Sequence, residues 1–148
     1  MKLLTETNTT LLNISLLMLR LTVGIILFLA GAGKVLGWFG GMGIDATLDI
    51  FVSQMGIHPV LAYLSSYTEF IGGFLLIVGL FTRPAAFAIM INMLVAAVVT
   101  LPNGFLKGAS YPFSMMVSSI IILLAGPMAY SLDAWLLSGR NGHYSKIS

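Results

Sequence analysis

Glu69 is the only charge in an apolar run from Val60 to Leu80. A stretch of that length and composition spans a bilayer. An acid inside it is costly unless it is neutralised or paired, so it normally faces a bundle interior and serves a purpose. Arg20, Asn92 and Ser118 are the groups that could join it. At about 1.5 Å per residue, counted from one membrane face, Arg20 falls roughly 13 Å deep, Asn92 roughly 12 Å, Glu69 roughly 16 Å, and Ser118 and Ser119 roughly 16–18 Å. Each apolar segment thus brings a polar group to one depth. The expected arrangement is an Arg20–Glu69 ion pair with Asn92 and Ser118 supplying hydrogen bonds. Such a layer could fix helix register, or it could hydrogen-bond a ligand carbonyl and relay its proton. Alternatively, Arg20 could reach the interface along its aliphatic stem and leave Glu69 protonated. Lys34 closes the first segment, either as an interfacial anchor or as a cation facing a headgroup, a quinone or a partner.

The composition explains why these few groups matter. The chain has 148 residues, of which 58% are hydrophobic and 8% charged, with a mean hydropathy of +1.01. Soluble domains carry about 25% charge, so this is a single integral membrane domain over 1–148 with no room for a second, soluble one. A net charge of +2 is too small and scattered for nucleic acid. The absence of cysteine excludes disulfides, thiolate nucleophiles, iron–sulfur ligation and Cys-zinc sites. His58 and His143 lie outside the apolar runs, which argues against a bis-His haem in the bundle. No metal site and no covalent cofactor are expected.

Four apolar segments, about 11–36, 60–80, 84–101 and 113–130, are long enough to span. Pro59 suits a first helical position, Thr82-Arg83-Pro84 a tight turn, and Gly126-Pro127 a weakened helix end. Between the first two spans, Ile44, Leu48, Phe51, Val52 and Met55 share one face, with Asp45, Asp49, Ser53 and Gln54 elsewhere. That pattern is a short amphipathic helix, about 44–55, lying in the interface or capping the bundle. The fold class is therefore all-α integral membrane: a four-transmembrane-helix bundle with one interfacial helix between helices 1 and 2. Ala30-Gly31-Ala32 resembles a signal-peptide cleavage site, but Arg20 and the long leader argue against cleavage. Lys2, Arg83, Arg140 and Lys146 outnumber Lys34 and Lys107 across the membrane, so both termini are expected in the cytoplasm.

On the second span Ala62, Ser65, Ser66, Glu69, Gly72 and Gly73 form one small, polar stripe. Ala88, Asn92 and Ala96 do so on the third, and Ser114 and Ser118 on the fourth. Such faces let helices approach closely. Gly31-Ala32-Gly33-Lys34 lacks the spacing and preceding strand of a phosphate loop. Gly33, Gly37 and Gly41 read as a loop or a close-packed helix end, and Trp38, Phe39 and Trp135 as interfacial aromatics. Asp133 is expected to cap a short terminal helix.

In order and spacing, several segments resemble the DoxX family of small four-span bacterial membrane proteins. They are Arg20, the run from Gly31 to Gly43, Glu69-Phe70-Ile71-Gly72-Gly73, the run from Gly79 to Ala86, Asn103-Gly104-Phe105, and Gly126-Pro127 with Ser131-Leu132-Asp133. The resemblance covers about residues 15–136 and implies a four-helix bundle in the bacterial inner membrane. It also implies a redox or quinone setting, since some members are described as small subunits of a thiosulfate:quinone oxidoreductase. Many members carry a histidine where this chain has Thr100 and an acid where it has Ser110, a departure that puts any chemistry of those positions in doubt.

Two functions follow. As a quinone-linked oxidoreductase subunit, the chain would use Arg20, Glu69, Lys34, Asn92 and Ser118 as quinone contacts in a pocket open to lipid, with electrons coming from a partner. As an accessory subunit, it would pack on a larger membrane complex without independent catalysis; the weak ionisable content and altered mouth residues favour this role. A stand-alone quinone- or lipid-binding protein, or a homo-oligomer, is the alternative. A small transporter has less support, because the chain lacks a repeat and a discontinuous helix.

Overall fold

The computed structural model describes residues 9–127 and 129–141, without the side chains of 137 and 139–141. Lys2, His143 and Lys146 lie outside the described residues, as does the Arg140 side chain. Among the described residues six α-helices follow one another: α1 (Thr9–Leu36), α2 (Gly43–Ser53), α3 (Pro59–Val78), α4 (Thr82–Thr100), α5 (Ser110–Ala125) and α6 (Leu132–Asn141). No strand occurs among the described residues. Four stretches, Thr9–Leu36, Pro59–Val78, Thr82–Asn103 and Phe105–Ala125, are long and apolar enough to cross a membrane. The chain is a multi-pass, four-helix membrane bundle, and α2 is the short helix expected between the first two spans.

The punctuation residues act as their chemistry dictates. Pro59 opens α3, and the His58 imidazole Nδ1 accepts the Val60 N–H at 3.3 Å. Gly79, at φ 70°, ends α3 in the left-handed conformation that costs glycine nothing, and its N–H donates to Leu75 O at 2.9 Å. The fourth span starts earlier than expected. Residues 103–110 are not an open loop. Only Gly104, at φ 91°, breaks the chain, and a π-helical turn Phe105–Ala109 runs straight into α5. Gly108 makes this possible: a Cβ there would lie 2.4 Å from Thr100 O, so the turn packs directly on the end of α4. The same span stops at Ala125, before Gly126-Pro127.

Asp133 does not cap its own helix. Its carboxylate accepts the Phe81 N–H at 2.9 Å and the Thr82 N–H at 2.8 Å, capping the start of α4, while Ser131 Oγ accepts the Ala134 N–H at 3.1 Å. The reason lies in Phe81, a non-glycine residue held at φ 48°, which leaves that helix start without a local side-chain cap. Asp133→Ala is expected to destabilise the bundle by about 1–2 kcal/mol, the cost of a lost cap. Thermal unfolding in detergent checks it, with Asp133→Asn recovering part of the loss.

α1 runs antiparallel to α3 along most of its length, with Gly24 against Gly73 and Ile77, and Gly31 against Glu69 and Phe70. α4 packs comparably on α5. The core between these pairs is Val23, Leu27, Leu76, Ala85, Ala86, Ile89, Met93 and Ile122. α3 and α4 meet more briefly. They touch near their shared turn, where Gly72 faces the Ile89 side chain, and diverge towards their other ends. That divergence makes the site.

Candidate functional site

Among the described residues, Lys34 and Glu69 form an ion pair. The Lys34 ammonium lies 2.7 Å from Oε1 and 2.6 Å from Oε2 of Glu69, donating to both oxygens. The Glu69 side chain is 4% exposed and that of Lys34 30%. Gly31 brings them together. It lets α1 approach the α3 backbone at Phe70, and Lys34, almost one turn further on, then projects over Glu69. α2 covers the pair: the Phe51 ring centroid is 5.7 Å from Lys34 Nζ, a cation–π contact. The buried Thr47 hydroxyl lies 2.7 Å from Gly43 O and 3.3 Å from Lys34 O. Gly33 and Gly41 lie in close backbone contact, confirming the close-packed helix end.

The expected Arg20–Glu69 pair does not form. Arg20 sits at the opposite end of the bundle, against Gly79, and donates to Pro127 O at 3.3 Å and Tyr130 O at 2.6 Å. The physical reason is overhang. α1 is 28 residues long and α3 is 20, about 42 Å against about 30 Å at 1.5 Å per residue. The surplus lies before Arg20, where residues 9–19 are exposed or half-buried. Depth counted from the start of the apolar run therefore placed Arg20 too deep. Its guanidinium ties the segment after α5 to the turn after α3. Ser118 also lies apart, half-buried on α5 and outside the cavity wall; Ser119 is the buried neighbour, donating to Met115 O at 2.8 Å.

Asn92 lines the same gap between α3 and α4 as Glu69, but the hydrogen bond expected from it to the ion pair is absent among the described residues. A cavity of about 920 Å³ fills that gap. Its wall runs from the end of α2 through Ser65, Thr68 and Glu69 of α3, Ala88, Asn92 and Ala96 of α4, to Tyr111 at the start of α5. The Ala88–Asn92–Ala96 stripe lines this cavity rather than a tight helix contact. Leu61, Leu64, Phe87 and Val95 also line it and are each more than half exposed, so it opens sideways onto the apolar surface. Asn92 Nδ2 is buried and has no hydrogen-bond partner among the described residues. Thr100 reaches the wall with its hydroxyl turned back to Ala96 O at 2.8 Å, whereas Ser110 lies off it.

The model of the DoxX family matches residues 15–102. This chain belongs to the DoxX family. The matched region contains Arg20, Lys34, Glu69 and Asn92 and stops before Tyr111. Among curated proteins, "Putative oxidoreductase CatD" of Bacillus subtilis (strain 168) is 31% identical over 135 residues, covering 90% of this chain and 96% of that one. No solved structure matches.

Sequence reasoning on this DoxX protein missed Tyr111 as a wall residue and Lys34 as the partner of Glu69. The signal for Lys34 was available: Gly31-x-x-Lys34 on one helix and Glu69-x-x-Gly72-Gly73 on the next are complementary for two antiparallel helices in contact.

Proposed function

We propose that this DoxX protein binds a lipid-soluble quinone in the α3–α4 cavity and serves as a quinone-associated component of a membrane oxidoreductase complex, without independent catalysis. The carrying observation is the cavity itself. Its volume of about 920 Å³ matches the range for small-molecule sites, its wall is mostly apolar, and it opens to the side. A tailed ligand can enter from the bilayer and leave its chain between Leu64 and Phe87. At the inner wall the Lys34–Glu69 pair is neutral overall, and Asn92, on the same wall, has an amide nitrogen with no partner among the described residues. That set suits a carbonyl oxygen better than a phosphate, which would need unmatched cations. The name of the Bacillus subtilis relative supports a redox setting. The expected location is the bacterial inner membrane, with the Arg20 end and both termini towards the cytoplasm.

Ala96→Phe tests the reading by filling the cavity. Protein purified in mild detergent is extracted and its quinone measured by mass spectrometry. Wild type is expected to retain quinone near stoichiometry, and Ala96→Phe at least tenfold less with its helical content unchanged. Equal retention by the variant, or none by either, sinks the proposal. Co-purification of redox subunits would identify the complex; recovery as a homo-oligomer with quinone would favour a stand-alone role.

A further inference from the structure

Lys34 borders a second space. A smaller pocket of about 300 Å³, which Lys34 also lines, lies between the end of α1, the turn Trp38–Gly40 and the start of α2. Lys34 is the one residue lining both this outer pocket and the α3–α4 cavity. Trp38, Phe39 and Met42 at the pocket's rim are more than half exposed, so it communicates with the surface at the end of the bundle. Glu69, by contrast, does not line the outer pocket, and both its oxygens are bonded to Lys34.

We propose that Lys34 and Glu69 form a proton relay joining the outer pocket to the head of the ligand in the cavity. This rests on the quinone reading above. Reduction of a quinone turns two C=O groups into C–OH groups and takes up two electrons and two protons. The electrons come from a redox protein partner. Each proton passes from Lys34 Nζ to the Glu69 carboxylate and on to a ligand oxygen, and the Lys34 amine regains a proton from the outer pocket. The pair is then restored as it stands. A direct Lys34-to-Glu69 transfer is short, because the donor and acceptor atoms are 2.6 Å apart. His58 and Tyr111 are the other titratable groups on the cavity wall. Neither lines the outer pocket, so neither links the two spaces.

The test is redox-difference infrared spectroscopy on protein loaded with a synthetic naphthoquinone, with electrons from an electrode. Reduction is expected to change a carboxyl band that shifts in D2O and is missing in Glu69→Gln. The rate of that H/D shift is the second readout. Lys34→Met should slow it at least tenfold. Ala30→Phe, which fills the outer pocket but leaves the pair intact, should slow it similarly and guards against a Lys34 variant that does not fold. A Glu69 band silent to reduction, or exchange unchanged in Ala30→Phe, overturns the relay. Failure of the protein to bind the naphthoquinone at all would instead overturn the underlying quinone reading.

Discussion

Lys34→Met is expected to destabilise the bundle by about 2–3 kcal/mol, the cost of leaving the buried Glu69 carboxylate without its partner. The substitution keeps most of the apolar stem, so little packing is lost. What is lost is both hydrogen bonds to Glu69, whose side chain is only 4% exposed and has its two oxygens on Lys34 Nζ. The double variant Lys34→Met/Glu69→Gln should recover much of the loss, since it leaves no unmatched charge inside. A double-mutant cycle on unfolding in detergent measures the coupling directly. Lys34 and Glu69 should couple strongly. Arg20→Met and Glu69→Gln should be additive within about 0.5 kcal/mol, as for sites sharing no partner. Additivity for Lys34 and Glu69, or strong coupling for Arg20 and Glu69, would refute the observed pairing.

Gly31→Ala is the second large effect. A Cβ at residue 31 would lie 2.3 Å from the Phe70 N and 2.5 Å from its Cα. Both atoms belong to the backbone, so no rotamer change relieves the clash; α1 must move off α3. Overpacking of this kind costs about 1–3 kcal/mol, and more where the backbone cannot yield. The shift also carries Lys34 away from Glu69, so loss of quinone retention should accompany loss of stability. Gly72→Ala is the control, because its Cβ would meet only the Ile89 side-chain end at 3.0 Å. It should cost under about 1 kcal/mol. Equal costs for the two variants would mean that α1 and α3 are not in backbone contact at Gly31.

Much of the architecture is decided by composition and punctuation. A bilayer fixes the length of an apolar run, so the four spans and the interfacial helix are legible without tertiary information. Pro59, Gly79 and Gly126-Pro127 set helix ends within a few residues because their backbone limits are local. Residues 103–110 escaped that reading, since a π-helical turn at Gly108 depends on contact with Thr100 from another helix.

The polar groups divide along the same line. That Glu69 must have a partner, and that Asn92 faces the same space, follows from the cost of burying polar groups in an apolar span. Which cation answers Glu69 does not follow. Arg20 and Lys34 lie fourteen residues apart on one helix, and the choice between them is the axial register of α1 against α3. Gly24 and Gly31 set that register through backbone contacts with Gly73 and Phe70. A shift of four turns would be needed to exchange one cation for the other. The sequence by itself determined a membrane bundle with a buried acid; only the packed helices decided that the acid meets Lys34 beneath α2 and that Arg20 fastens the opposite end. Register is a property of two surfaces fitted together, and neither helix carries it alone.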